Sequence, residues 1–245
     1  HHAVDRTPTP VVVTHDIDSA EGLRLLVERF LDIEERAGAR STNYIVPCGW
    51  TLDHGLLREV IARGHTIGVH GFDHSNKTPH ASPADRRDRL RRGFDALAAF
   101  GDSARGIAVI KTDTPDAELR QLHVQGVRGI RLYAEKGRVL PEALAAYAKR
   151  IADLGWHIQF VVGREPGTLA RFERSLTDLP CRVVIDHMGR VDANLGSEHA
   201  DFQALMHLLD HRNMHVKVSG IDRIESTARV GSGYPLGSAL ARMLV

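Results

Sequence analysis

Eight short apolar, β-rich runs recur along the chain, each followed by a segment of helical character, and this alternation limits the fold more than any other feature. The runs are VVVTH (11–15), TNYIV (42–46), TIGVH (66–70), GIAVI (106–110), GIRLY (129–133), HIQFV (157–161), RVVID (182–186) and HVKVS (215–219). They carry Val and Ile without strict alternation, the pattern of parallel strands buried on both faces. The segments between them have recognisable helix boundaries. Ser19 reads as the N-cap of a helix running to about Gly38. Ser82-Pro83 places a cap before a proline at the first helical position, and Thr114-Pro115 repeats that arrangement. PEALAAYAKRIADLG puts Leu144, Tyr147, Ala148, Ile151 and Ala152 on one face and stops at Gly155.

This pattern predicts an α/β fold, a (β/α)8 TIM-like barrel over residues 1–245 as a single domain, with an open doubly wound sheet as the runner-up. The barrel is favoured because reactive polar residues recur at the C-terminal ends of several runs, the face on which such barrels carry their sites. No repeat, low-complexity tract or long linker interrupts the series.

The charge balance narrows the partners. Lys and Arg number 32 against 31 Asp and Glu, a net charge of +1, which gives no electrostatic footprint for nucleic acid or an anionic membrane. The one dense cluster, DRRDRLRRG (85–93), mixes signs and reads as a solvated helix face. No stretch is long and apolar enough to span a membrane, and no signal peptide is visible, so a cytoplasmic protein is expected. Cys48 and Cys181 stand far apart in apolar settings and read as free, buried thiols. Fifteen histidines raise the prospect of a metal site.

The first and third runs locate that prospect. His15, Asp16 and Asp18 fall at the end of the first, and His70 and His74 follow the third with Gly71 between them. Two imidazoles and a carboxylate form a zinc-type ligand set, and a second carboxylate beside it can take a proton from water. The plainer alternative makes Asp18 a helix-capping residue and the histidines loop surface. An HD-type phosphohydrolase fits less well, because its further histidines belong on helices.

These residues also carry a resemblance. VVVTHDIDSAEG, GARSTNYIVP and RGHTIGVHGFDHS resemble the first half of a polysaccharide deacetylase of the NodB-homology type, over about residues 10–95. Asp16-Ile17-Asp18 matches its spaced aspartate pair. His70-Gly71-Phe72-Asp73-His74 matches its His-Ser/Thr-x-x-His motif, with Gly71 departing at the second place. The resemblance implies Asp16 as catalytic base, Asp18, His70 and His74 as ligands of a divalent metal of the zinc type, and an N-acetylated carbohydrate as substrate. The family's later motifs have no match here.

From about residue 95 the chain resembles another family. GVRGIRLY, LGWHIQF, VVIDHMGR and VKVSGIDRIES are similar to the amidohydrolase superfamily, in its 2-pyrone-4,6-dicarboxylate lactonase-like branch. This implies active-site roles for His187 and Arg190, and carboxylate binding by Arg131 and Arg223, which suits the bidentate guanidinium. Arg131 equally suits a pair with a neighbouring acid. That family's opening His-x-His strand and its closing strand with a catalytic aspartate have no counterpart in these residues. Three deacetylase-like strands (10–95) and five amidohydrolase-like strands (96–245) make eight, so a hybrid, imperfectly closed barrel is expected.

Two functions follow from different classes. One is a metal-dependent hydrolase of amide or ester bonds, with Asp16 as base and His187 protonating the leaving group, or a lactonase acting on a small carboxylated substrate. The other is an inactive barrel that binds an anion through Arg131, Arg190 and Arg223. Trp156-His157 reads as core packing with a polar tip, and His123, His207, His211 and His215 as residues without a chemical role. The residues leave the oligomeric state open.

Overall fold

The computed structural model describes residues 13–244 apart from 76, 101–105, 135–138 and 229–232. Residues 11–12 of the first apolar run therefore lie outside the described residues. All eight strands form: β1 (Val13–Ile17), β2 (Ser41–Ile45), β3 (Thr66–Val69), β4 (Gly106–Ala108), β5 (Val127–Tyr133), β6 (His157–Val161), β7 (Val183–Ile185) and β8 (Met214–Val216). They make two sheets in chain order, β1-β2-β3 and β4-β5-β6-β7-β8. The ladders β1–β2, β2–β3, β4–β5, β6–β7 and β7–β8 are parallel. Among the described residues no ladder joins the two sheets, so the barrel is imperfectly closed, as expected.

The chain divides into two compact units, and the boundary falls inside β5. The first unit comprises Val13–Ile130 and Asp153–Trp156. Its helical segments are α1 (Ala20–Leu25), α2 (Leu31–Arg36), α3 (His54–Ala62), α4 (Pro83–Leu97) and α5 (Asp116–Val124). Ser19 caps α1 by accepting the Gly22 N–H, and the helical path continues to Arg36 through a π-helical turn at Leu26–Phe30. Ser82 caps α4 with Pro83 in the first turn. Thr114 behaves differently from the expectation. Its hydroxyl accepts the Lys111 N–H at 3.0 Å, and α5 starts after Pro115 without a side-chain cap. The core gathers Leu23, Leu26, Leu31, Ile45, Leu57, Val60 and Leu97 from the helices and the sheet. Arg91 pairs with Asp88 and Asp95, so this part of the 85–93 cluster is the solvated face it resembles. Trp156 is buried, its indole N–H donating to His123 Nδ1 at 2.9 Å. His123 thus has a packing role.

The second unit comprises Arg131–Ala152 and His157–Val245. Here lie α6 (Leu144–Ala152), α7 (Thr168–Thr177), α8 (Ala200–Leu209), the short α9 (Ile221–Ile224) and α10 (Pro235–Arg242). In α6 the residues Leu144, Tyr147, Ala148 and Ile151 are buried, as their spacing predicts. The buried core includes Ile158, Phe160, Phe172, Val183, Ile185, Phe202 and Leu205. The two cysteines are free, Cys181 buried and Cys48 half-buried. Burial pushes the Cys181 thiol up to about 11, so it stays protonated and inert.

One buried carboxylate ties two helices of this unit. Asp201, in the first turn of α8, accepts the Gly167 N–H at 2.7 Å and the Ala170 N–H at 3.0 Å at the start of α7. It satisfies donors that the helix start leaves unpaired, and its charge suits the positive end of the helix dipole. Asp201→Ala leaves two half-buried N–H groups without their charged acceptor, so a loss of about 2 kcal/mol is expected. Urea unfolding checks this by a lower midpoint at unchanged slope.

Candidate active-site clusters

In the first unit the parallel register sets Asp16 opposite Tyr44, and Tyr44 opposite Gly68. A Cβ at Gly68 would meet the Tyr44 ring at 2.6 Å, so only glycine lets that ring cross β3. Burial, with a further push from the Asp16 charge, raises the Tyr44 phenol and keeps it neutral. Beyond the strand ends, His70 Nε2 lies 3.4 Å from Asp18 Oδ1 and 3.9 Å from Asp16 Oδ2. His74 Nε2 lies 3.9 Å from Asp18 Oδ2, and the two imidazole rings are 5.3 Å apart. Gly71 and His74 both take left-handed backbone angles, which turn the chain so that two histidines four positions apart face the same aspartate. One ligand atom from each of Asp18, His70 and His74 lies within 4.8 Å of the others. The donor set of two nitrogens and one oxygen fits a divalent cation of the zinc type. His15 is drawn elsewhere, to Glu34.

In the second unit, side chains from four successive strands and their ends converge on one carboxylate. Asp186 follows β7, and its side chain is 1% exposed. Arg131 of β5 binds Oδ2 at 2.5 Å, Gln159 of β6 donates to Oδ1 at 3.1 Å, and Lys217 after β8 places its ammonium 3.4 Å from Oδ1. Burial alone would raise the Asp186 carboxyl. The Lys217 and Arg131 charges, with His187 and the Gln159 hydrogen bond, outweigh it and hold the group below the usual carboxylate range.

His187 is the next residue, with Nε2 3.4 Å from Asp186 Oδ2. Arg223 of α9 lies 3.0 Å from the same Nε2, and Ser219 Oγ lies 3.1 Å from Nδ1. A guanidinium can only donate, so Nε2 accepts, and the neutral ring carries its proton on Nδ1 toward Ser219. Burial lowers the His187 pKa. Asp186 opposes that, and the Arg223, Arg131 and Lys217 charges lower it further.

The backbone here is unusual. His187, Met188, Gly189 and Arg190 have φ of 50°, 50°, 66° and 49°. Left-handed angles at three non-glycine residues carry strain and need support. The turn is held by Met188 N–H to Lys217 O at 2.9 Å and Gly189 N–H to Asp186 O at 3.1 Å. A Cβ at Gly220 would touch the His187 ring at 3.0 Å, so the chain leading into α9 passes directly against the imidazole.

The structure therefore joins Arg131, His187 and Arg223 in one network. Arg190 donates to the Val162 carbonyl at 3.3 Å. Arg131 also fulfils the other expectation for it, pairing with an acid. Sequence reasoning passed over Asp186, Lys217, Gln159 and Ser219. The signal within reach was the acidic residue directly before His187 at a strand end.

The amidohydrolase family profile matches residues 83–244, and the chain belongs to that family. Over 141 residues it is 39% identical to the 2-pyrone-4,6-dicarboxylate hydrolase of Comamonas testosteroni, covering 56% of this chain and 46% of that protein. Over 156 residues it is 28% identical to the 4-sulfomuconolactone hydrolase of Hydrogenophaga intermedia, covering 62% and 50%. A solved Pseudomonas putida structure assigned as a 2-pyrone-4,6-dicarboxylic acid hydrolase superposes with a TM-score of 0.54 at 25% identity, covering 95% of this chain and 75% of that one. The chain spans about half the length of the curated relatives it matches.

The His187 surroundings set a pH response. A histidine whose folded pKa lies below its unfolded value favours folding while neutral. Its contribution is complete above the unfolded value and is lost as pH falls through the folded one. Titration followed by histidine NMR should give His187 a midpoint below the ordinary histidine range. Arg223→Met removes a repelling charge and frees Nε2, so the midpoint should rise; an unchanged midpoint would show that Arg223 does not act on the ring.

Proposed function

We propose that the chain belongs to a hydrolase that opens the ring ester of a small, carboxylated lactone. The observation that carries this reading is the Asp186 cluster. One buried carboxylate is met by Arg131 and Lys217, with Arg223 on the adjoining His187, which leaves a surplus of positive charge at the strand ends. Such a surplus suits an anionic small molecule. The likeness to hydrolases of 2-pyrone-4,6-dicarboxylate and 4-sulfomuconolactone supports the same class.

In this reading Arg131, Arg190 and Arg223 hold the anionic groups of the substrate. A substrate carboxylate draws Arg223 away and opens Nε2 of His187. The neutral imidazole takes a proton there from the attacking water, and Asp186 steadies the imidazolium. Water oxygen bonds to the acyl carbon, the ring C–O bond breaks, and His187 returns the proton to the leaving oxygen. The product is a hydroxy acid, with one water consumed.

A second reading is favoured by the Asp18, His70 and His74 group in the first unit. A zinc-type cation bound there would act as a Lewis acid on an acyl carbonyl. Asp16, 3.9 Å from His70, is then the base of an acyl hydrolysis of the deacetylase kind.

Following the ultraviolet absorbance of 2-pyrone-4,6-dicarboxylate tests the first reading. Turnover is expected, with Arg223→Met lowering kcat/KM by about a hundredfold, the scale of a lost charge-assisted hydrogen bond. Equal turnover of an uncharged pyrone would overturn the anion-binding reading. Acetate release from an acetylated sugar without lactone turnover would favour the second. Elemental analysis checks the metal separately: about one divalent ion per chain is expected, and it should be absent from His70→Ala/His74→Ala.

A further inference from the structure

We propose that Lys217 is a substrate-binding residue: with Arg131 it forms a cationic pair, held in place by Asp186, that engages a carboxylate of a doubly charged substrate. The proposal rests on the carboxylated-lactone reading and adds a residue to it.

Three observations carry it. First, Asp186 does not need the lysine. Its Oδ2 is bonded by Arg131 and its Oδ1 by Gln159, so both oxygens already have donors. Lys217 Nζ stands 3.4 Å from Oδ1, a charge contact in addition to a hydrogen bond already made. Second, the charges do not cancel. Arg131, Lys217 and Arg223 are three cations beside one carboxylate, and His187 is held neutral, which leaves two positive charges over. The Arg131 and Lys217 side chains are only 22% and 21% exposed, so water screens that excess poorly.

Third, the lysine is built into the strand end. Its N–H donates to Ile185 O at 2.9 Å and its carbonyl accepts the Met188 N–H at 2.9 Å. The same two hydrogen bonds fix the strand that presents Asp186 and the strained turn that presents His187. The ammonium thus starts from a rigid backbone at the carboxyl ends of parallel strands, where α/β folds bind ligands. A lysine that served only as counter-ion would need none of the surplus charge.

Isophthalate, an unreactive dicarboxylate, is the probe, titrated calorimetrically into the wild type, Lys217→Met, Lys217→Arg and Arg223→Met. Lys217→Met is expected to weaken binding about tenfold or more, and Lys217→Arg to keep affinity within about threefold of the wild type. If Lys217→Met binds like the wild type while Arg223→Met is weakened, Lys217 is only a counter-ion and this proposal fails alone. If the wild type does not bind isophthalate, the carboxylated-substrate reading fails and takes this one with it. Should Lys217→Met not fold, acetylation of wild-type lysines read by mass spectrometry decides. Isophthalate should slow modification of Lys217 at least threefold relative to the exposed Lys149, and equal rates overturn the proposal.

Discussion

A carboxylate sealed from water holds its charge only if the protein supplies the charges and donors that water would have given. Asp186 is that group in the second unit, and the arrangement around it follows from this requirement. Arg131 reaches it from β5, Gln159 from β6 and Lys217 from the end of β8. Side chains from three other strands are thereby fixed at one point. Parallel strands have no tight turns between them to set their ends, and a shared buried anion provides a common reference. Removing it would leave Arg131 and Lys217 repelling one another in a poorly solvated place, which is costlier than the loss of any single hydrogen bond.

The histidine beside it depends on the same group in a subtler way. Left to burial and to Arg223, Arg131 and Lys217, the imidazole would resist a proton strongly. Asp186 offsets part of that resistance, so the ring is neutral at rest yet has an anion nearby when it accepts a proton. The left-handed turn from His187 to Arg190 makes this geometry available. The strain is offset by main-chain bonds to Asp186 and Lys217, so the residues that set the charge also hold the turn.

Much of the architecture was legible because it depends on short-range pattern. Each of the eight strands lies at or within two residues of its apolar run, and the Ser19 and Ser82 caps work as their types suggest. Thr114 misled because a hydroxyl one residue before a proline can close its own turn as readily as cap a helix. The first-unit cluster was legible too, since Asp16 and Asp18, and His70 and His74, are close in sequence. Asp186 and Lys217 were not. Their meaning lies in partners dozens of positions away, and an acid ending a buried strand looks like a simple strand terminus.

In the carboxylated-lactone reading a site for anions could be made of bare arginines, so the presence of a carboxylate among Arg131, Lys217 and Arg223 calls for a reason. Unpaired cations at a strand end would repel one another and swing outward, and the substrate would have to gather them at the expense of binding energy. With Asp186 in place the cations are drawn inward before any ligand arrives. Because they outnumber it, an incoming carboxylate still meets net positive charge. The internal anion lowers the total attraction but fixes its direction, and for catalysis direction is worth more. Attraction shared equally by substrate and transition state speeds nothing, whereas charges already fixed need no rearrangement as the reacting bond changes.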